Sequence, residues 1–172
     1  MTKTKIDLAL KILIGCLLAA LIVIIAGSLN ERVVKAGDTA PDFSITTDHG
    51  RKITATDFGG RVLVLHFWAS WCTPCVEEAQ PLNEFQKAVA DSGVVVLGVS
   101  IDTNENAYRR FITMNRIGFE TARDPEANIS ASYGTFKVPE TYIIDRTGKV
   151  VEKVIGEGNW GDPNLINRVK SL

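Results

Sequence analysis

Cysteine and histidine are scarce in this sequence, which has 3 cysteines and 2 histidines among its 172 residues. Cys16 lies in an apolar N-terminal segment, so the rest of the chain has only Cys72 and Cys75. A single pair at such short spacing closes too small a loop to constrain the unfolded chain much, which excludes a disulfide scaffold. A close pair in an oxidising compartment indicates redox chemistry instead.

An excess of charge of one sign is also missing. The 19 basic and 20 acidic side chains are mixed along the chain and give a net charge of -1 at pH 7. Neither a basic face nor an acidic tail is present, so no nucleic-acid partner is predicted. With 45% hydrophobic residues, the chain is long enough for one domain with a substantial core plus an appendage.

Charge is absent altogether from residues 12–29, ILIGCLLAALIVIIAGSL. This run is just long enough for a transmembrane helix, and the lysines before it predict an N-terminus in the cytoplasm. The chain after residue 30 would then lie outside the cytoplasmic membrane, in the periplasm or an equivalent space. The predicted segments are a cytoplasmic N-terminus at 1–11, a single transmembrane anchor at 12–29, a linker at 30–36 and a redox domain at 37–172.

Three other interpretations of the apolar run compete with the membrane anchor. A cleaved signal peptide would need a shorter apolar region and a clear Ala-x-Ala site. A lipoprotein signal at Leu13–Cys16 would leave most of the apolar run after the cysteine. A buried core helix would show amphipathic periodicity, which the run lacks. A membrane anchor is therefore the favoured prediction.

Strand and helix patterns alternate from residue 37 onward, and two nearly continuous apolar runs indicate central strands covered on both faces. The predicted elements are a hairpin within 42–58 that turns at His49 and Gly50, a strand at 62–68, a helix at 74–91 kinked at Pro81, a strand at 94–101, a helix to residue 115 with a capping box at Asp102–Glu105, a weak strand at 119–122, a short helix at 125–133, a hairpin of 141–145 and 149–155 around Gly148, and a helix at 164–172. The predicted fold class is α/β, a mixed central sheet flanked by helices.

The Cys72-Thr-Pro-Cys75 motif is compatible with a metal, a haem or a redox-active dithiol. A structural zinc site needs four ligands, and only His49 and His66 are available beside the two thiols. His66 lies inside an apolar strand and is predicted to be a core residue. Covalent haem attachment requires histidine directly after the second cysteine, where Val76 stands. Neither a metal nor a cofactor is predicted.

The dithiol interpretation makes physical demands that the motif can meet. A nucleophilic cysteine must be a thiolate near neutral pH, and the unpaired N–H groups and dipole of a helix N-terminus favour that state. Pro74 suits the first turn of a helix, so Cys72 should lie at its N-terminus. Cys75, one turn later, should be shielded and should attack the mixed disulfide second.

The segment LHFWASWCTPC, Leu65–Cys75, closely resembles the active-site strand and helix start of thioredoxins. With the apolar N-terminal segment, the added hairpin, KVPETYIIDRTGKVV and GEGNWGDP, the chain resembles the TlpA/ResA/DsbE (CcmG)-like membrane-anchored thioredoxin-like proteins. The resemblance implies a thioredoxin-like fold with an extra N-terminal β-hairpin. It implies that Cys72 is the nucleophile and Cys75 the resolver of a redox-active disulfide.

The same resemblance implies a set of substrate contacts and partners. The substrate-binding residues would be Trp71, Pro74, Val138 and Pro139, with Pro139 following a cis peptide bond. The implied function is a membrane-tethered thiol-disulfide oxidoreductase that reduces protein disulfides, such as those of apocytochrome c or a maturation factor. Its electrons would come from a thiol carrier in the membrane.

Glu78, His66 and Asp102 are candidates for roles near the dithiol. Glu78 lies one helical turn beyond Cys75 and resembles an acid that exchanges a proton with the resolving cysteine, although a solvated carboxylate would fit equally well. Typical thioredoxins have a buried carboxylate where this chain has His66, so we expect Glu78 or His66 to take over the proton relay. Asp102 is predicted to cap a helix, and facing the dithiol is its alternative role.

Two other functions stay open as alternatives. Residues 36–68 also resemble the opening of peroxiredoxins, but their peroxidatic cysteine needs threonine or serine three positions earlier, where Ala69 precedes Cys72. A copper chaperone on the same fold usually spaces its cysteines by three residues and adds a later histidine. This chain has a spacing of two and no histidine after His66.

Overall fold

The computed structural model describes residues 3–28, 33–54 and 60–172 of the chain. Its contacts divide the chain into two compact units, Met1–Arg32 and Val33–Leu172. The predicted end of the anchor at residue 29, residues 30–32 of the predicted linker and residues 55–58 of the predicted hairpin lie outside the described residues.

The described residues of the first unit form the helix α1, Lys3–Ser28. No helix among the described residues has the length and apolarity needed to cross a membrane.

The second unit has strands and helices in nearly the predicted order. The strands are β1 Ser44–Thr46, β2 Lys52–Thr54, β3 Val62–Trp68, β4 Val94–Ser100, β5 Glu120–Arg123, β6 Glu140–Ile144 and β7 Val150–Ile155. The helices are α2 Thr73–Val89, α3 Glu105–Met114, α4 Asn128–Ser132 and α5 Pro163–Lys170. A short 3-10 turn, Ala90–Ser92, extends α2 and ends at Gly93, whose left-handed φ of 72° suits glycine.

The central sheet is mixed, as predicted. Its strand order is β5-β4-β3-β6-β7, and β1 and β2 form a separate antiparallel pair. β3 pairs in parallel with β4, and β4 with β5, while β6 lies antiparallel to both β3 and β7. The site described below lies where β3 ends and α2 begins.

Alternation along β3 places its side chains on two different cores. Leu63, Leu65 and Phe67 pack with the β1–β2 hairpin, whereas Val62 and Val64 pack with apolar residues of α2 and α5. Successive side chains of a strand point to opposite faces, so position 66 belongs to the face that α2 covers.

The buried face of α2 differs at one position from the helical pattern in the sequence. The spacing of Val76, Ala79 and Leu82 predicts that they share one face, but Val76 is 43% exposed. Cys75, Ala79 and Leu82 are buried instead. Because the helix begins at Thr73, with Cys72 as its N-cap, positions 75, 79 and 82 share the face toward the sheet, and position 76 is turned away from it.

Candidate active site

Cys72 stands at the junction of β3 and α2, where the predicted helix start is confirmed. It is the N-cap of α2, with extended backbone angles, and its sulfur accepts a hydrogen bond of 3.3 Å from the backbone N–H of Cys75. Pro74 occupies the first turn, where its missing N–H removes no helical hydrogen bond. A sulfur at the N-cap faces the unpaired N–H groups and the positive end of the helix dipole, which stabilise a thiolate.

The two cysteines form a disulfide with their Cα atoms 5.3 Å apart. Cys72 is 6% exposed and Cys75 is 2% exposed. Both lie in a cluster with Trp68, Ala79 and aromatic residues of the α3 helix. Since Cys72 is the more accessible of the two, the geometry supports the predicted order in which Cys72 attacks first.

The loop before β6 closes the other side of the disulfide. The Val138–Pro139 peptide bond is cis, as predicted. The sulfur of Cys72 lies 3.4 Å from the carbonyl oxygen of Val138. The Pro139 carbonyl in turn accepts a hydrogen bond of 2.9 Å from the N–H of Gly156. Val138 therefore presents its backbone directly beside the sulfur of Cys72.

Asp102 fixes the turn that carries the dithiol, and the prediction that it caps α3 is wrong. The N-cap is Asn104, whose side chain accepts the N–H of Ala107 at 3.1 Å. Asp102, 1% exposed, accepts hydrogen bonds from the N–H and hydroxyl of Ser70 at 2.8 and 2.7 Å and from the hydroxyl of Ser100 at 2.7 Å. The sequence offered one signal for this contact, since hydroxyl residues end or follow the neighbouring strands β3 and β4.

Glu78 is a buried carboxyl, so its interpretation as a solvated side chain is wrong. It is 3% exposed, and Oε2 accepts hydrogen bonds from the Gly158 N–H at 3.0 Å and from Trp160 Nε1 at 2.9 Å. Glu78 follows Cys75 by one helical turn, which places side chains on a common face with Cβ atoms about 5–6 Å apart. Gly158 and Trp160 lie in the GEGNWGDP motif, but nothing in the sequence connected them to Glu78.

His66 is a core residue, as predicted, and it faces Glu78. Its Nε2 lies 3.4 Å from Glu78 Oε1, and its Nδ1 lies 2.9 Å from the Thr141 hydroxyl. Burial lowers the pKa of His66 to about 3, so the ring is neutral near neutral pH.

Burial also raises the pKa of Glu78 above its ordinary value. The hydrogen bonds from Trp160 and Gly158 oppose that rise, and the charge of Glu157 adds to it. A buried carboxyl with a raised pKa can accept or release a proton nearer to neutral pH than a solvated one.

A groove beside the disulfide brings two of the predicted substrate residues together. Trp71 and Val138 line a cavity of about 500 Å³ together with Phe136 and five other residues, whereas Pro74 and Pro139 are not among its lining residues. Trp71 is 68% exposed and Phe136 is 71% exposed. Phe136 was missed because a lone aromatic residue before the cis-proline shows no pattern in the sequence.

Within the part of the chain that the structure describes, no group of three or more histidine, cysteine, aspartate or glutamate residues comes together as a set of metal ligands. A disulfide at a helix N-terminus, beside a cis-proline loop and after the central strand of a mixed sheet, defines a thioredoxin-fold dithiol protein.

Comparison with known proteins identifies the family. The AhpC/TSA family model matches residues 36–153. The chain is 35% identical to a thiol-disulfide oxidoreductase ResA of Bacillus cereus over 128 residues, which cover 74% of each chain. It is 34% identical to the thioredoxin-like protein YneN of Bacillus subtilis (strain 168) over 131 residues, 75% of this chain and 76% of that protein.

Among solved structures, a protein from Chlorobium tepidum assigned as the thiol:disulfide interchange protein DsbE matches with a TM-score of 0.73 and 30% identity, over 80% of this chain and 97% of that chain. The chain belongs to the AhpC/TSA family and, within the thioredoxin fold, to the ResA/DsbE-like thiol-disulfide oxidoreductases. It is a thiol-disulfide oxidoreductase whose Cys72-x-x-Cys75 pair forms the disulfide.

Proposed function

We propose that this enzyme reduces protein disulfides outside the cytoplasmic membrane, to which residues 12–29 anchor it. The observation that carries the reaction is the position of Cys72 at the N-cap of α2, where its sulfur accepts the N–H of Cys75. That position stabilises the thiolate that must attack the client. The uncharged run of residues 12–29 and the lysines before it support the location.

The reaction proceeds through one mixed disulfide. The Cys72 thiolate attacks one sulfur of the client disulfide, and the other client sulfur leaves as a thiolate that takes up a proton. Cys75 then loses its proton and attacks the Cys72 sulfur. The Cys72–Cys75 bond forms, the second client sulfur leaves, and the client has gained two electrons. A thiol carrier in the membrane returns two electrons to the enzyme.

Glu78 receives the proton that Cys75 loses and passes it to the departing client thiolate. Its place one turn after Cys75, its burial and its raised pKa support this role. The carboxyl ends the cycle in the protonation state in which it began, so protons balance over the reaction.

The client lies as an extended segment along the Val138–Pro139 loop, with its cysteine at Cys72. The Val138 carbonyl, 3.4 Å from the Cys72 sulfur, supports this path. Trp71 and Phe136, both exposed, provide apolar contact beside the client cysteine, and Pro74 shields the intervening turn. Apocytochrome c and its maturation factors are the client class that we propose, because their cysteines must stay reduced before haem attachment.

Trapping of the mixed disulfide tests this function. In Cys75→Ser, Cys72 should remain covalently bound to clients that can be isolated from the membrane fraction of cells. Cys72→Ser is the matched control and should trap none. Absence of adducts from Cys75→Ser would show that either the order of attack or the exchange mechanism is wrong, and equal adducts from both variants would show that Cys72 is not the specific point of attack.

The equilibrium potential of the Cys72/Cys75 couple against glutathione tests the direction of electron flow. A reductase should have a potential near ~-270 mV, as thioredoxin has, whereas a value near ~-120 mV is that of a strong oxidant.

The AhpC/TSA match makes thiol peroxidase a second candidate function. Ala69, fully buried, stands where a peroxidatic cysteine at position 72 would need threonine or serine. We therefore expect hydrogen peroxide to oxidise Cys72 no faster than an ordinary thiol, and a rate well above that would favour the peroxidase.

A further inference from the structure

A chain of three polar side chains crosses the core behind the dithiol. Thr141 on β6 lies opposite His66 on β3, and the imidazole of His66 faces Glu78 on α2. All three residues are at most 3% exposed. Bulk water therefore does not reach these three side chains, and they depend on one another for hydrogen bonds.

The two carboxyl oxygens of Glu78 differ in their surroundings. Oε2 already accepts from two donors that cannot reverse, the N–H of Gly158 and Nε1–H of Trp160. Oε1 is buried and has no hydrogen bond, and His66 Nε2 stands 3.4 Å from it. A change in the protonation of Glu78 must therefore be accommodated at Oε1, opposite the imidazole.

We propose that His66 is a positioning residue for the proton exchange of Glu78, since its Nε2 can donate to Oε1 when the carboxyl is ionised and accept from Oε1 when the carboxyl is protonated. This inference rests on the proposed function of Glu78 as the proton acceptor for Cys75. His66 does not touch the client and acts through Glu78.

A neutral imidazole is suited to this task because it has one N–H donor and one acceptor nitrogen. When Glu78 is ionised, Nε2–H donates to Oε1 and Nδ1 accepts from the Thr141 hydroxyl. When Glu78 is protonated, Oε1–H donates to Nε2 and Nδ1–H donates to the Thr141 oxygen. A hydroxyl can serve in both directions, so each state leaves every member of the chain with a partner.

The charged groups around the pair are consistent with a neutral ring. From α2, His66 faces Glu78, with Cys75 one turn before it; from β6 it faces the uncharged Thr141. The loop before α5 adds the charge of Glu157, which acts on Glu78. Burial lowers the pKa of His66 to about 3 and raises that of Glu78, so both members of the pair favour their neutral forms.

The first test follows the pair directly in the oxidised full-length chain, in which Cys72 and Cys75 are held in the disulfide and do not titrate. The carboxyl carbon of Glu78 and both ring nitrogens of His66 are observed by NMR as a function of pH. We expect the proton to move from Nε2 to Nδ1 with the same midpoint at which Glu78 becomes protonated. Ring nitrogens that stay in one tautomer across that midpoint would overturn the proposal.

The second test compares two substitutions of His66. His66→Leu removes the donor to ionised Glu78, and a hydrogen bond to a charged group is stronger than one to a neutral group, so the Glu78 midpoint should rise by about one pH unit. His66→Gln keeps both a donor and an acceptor and should restore most of the original midpoint. Equal shifts in the two variants would mean that His66 only fills space.

Two further variants separate this role from general damage to the fold. The exposed His49 is the matched histidine control, and His49→Leu should leave the midpoint unchanged. In a Glu78→Gln background, His66→Leu should no longer alter the pH profile with which Cys75 resolves the mixed disulfide, because the two residues act as one unit. An added pH shift in the double variant would contradict the coupling.

The outcomes distinguish this inference from the proposed function. If the His66 tautomer changes with the protonation of Glu78 but the dithiol does not exchange with protein disulfides, the proposed function is wrong and the role of His66 toward Glu78 is retained. If the dithiol exchanges with clients but the tautomer is fixed, the function stands and His66 has no part in it.

Discussion

Acidification should destabilise the fold through His66. The imidazole is 3% exposed, and burial lowers its pKa from 6.5 to about 3. Between these values the unfolded chain binds a proton at this position and the folded chain does not. The stability that this group provides is therefore complete above pH 6.5 and is lost as the pH falls toward 3.

The size of the loss follows from the shift. One pH unit within this window corresponds to ~1.4 kcal/mol, so lowering the pH from 6.5 to 4 should remove about 3 kcal/mol of the free energy of unfolding. This is a large part of the ~5–15 kcal/mol by which domains are usually stable. Glu78 acts in the opposite sense, because its raised pKa makes the folded chain bind the proton more tightly at low pH.

A comparison with His66→Gln isolates the histidine from Glu78 and from the surface carboxyls. Denaturant unfolding of the full-length chain in a non-ionic detergent, at pH 7, 6, 5 and 4, gives the free energy of unfolding of each protein. From pH 7 to pH 4, the free energy of unfolding of the wild type should fall by about 3 kcal/mol more than that of His66→Gln. His49→Gln, which replaces the exposed histidine, should track the wild type more closely.

A difference that stays constant with pH would refute the reasoning. It would mean that the folded chain accommodates a charged imidazolium, held by ionised Glu78 across the 3.4 Å between Nε2 and Oε1. The pair would then be a buried ion pair, and the pKa of His66 would not be lowered by burial.

Three further substitutions test individual contacts of the site. Asp102→Asn weakens the acceptor of the Ser70 N–H and hydroxyl, so it should lower the free energy of unfolding by about 1–3 kcal/mol and speed hydrogen exchange of the Ser70 amide. Unchanged exchange would show that the turn does not depend on this carboxylate. Gly98→Ala would place a methyl group 2.7 Å from the ring of Phe119, so thermal unfolding should show that the free energy of unfolding falls by about 1–3 kcal/mol. Unchanged stability would mean that the Phe119 ring moves aside freely. Trp160→Phe removes a donor to Glu78 and should raise the pH midpoint of that carboxyl; a fall in the midpoint would contradict its role.

Continuous apolar runs made the centre of the fold predictable. β3 occupies Val62–Trp68, as predicted, and is buried at every position, while β4 ends one residue before its predicted limit. Such runs are typical of strands covered on both faces. The start of α2 was equally predictable from the sequence. The proline in Cys72-Thr-Pro-Cys75 removes no helical hydrogen bond only if it lies in the first turn of the helix.

The sequence pattern gave the wrong N-cap for α3, because two short capping patterns fit neighbouring residues. Asp102 and Asn104 are both good N-caps, and the glutamate three positions after Asp102 favoured the wrong one. Asp102 instead accepts hydrogen bonds from Ser70, which lies 32 positions away in the sequence. A tertiary contact with Ser70 and Ser100 therefore decided the assignment, and the local capping pattern does not include it.

The pairing of His66 with Glu78 combines two rules that were each available in the sequence. Alternation along β3 assigns His66 to the face of Val62 and Val64, and the helical period assigns Glu78 to the face of Cys75. What was missing was the knowledge that α2 covers that same face of β3, which depends on how the chain crosses over after the dithiol. Once the crossover is known, a buried histidine and a buried carboxyl must meet. In the folded chain the residue that departs from the thioredoxin pattern, His66, and the acid one turn after Cys75, Glu78, are therefore parts of one site.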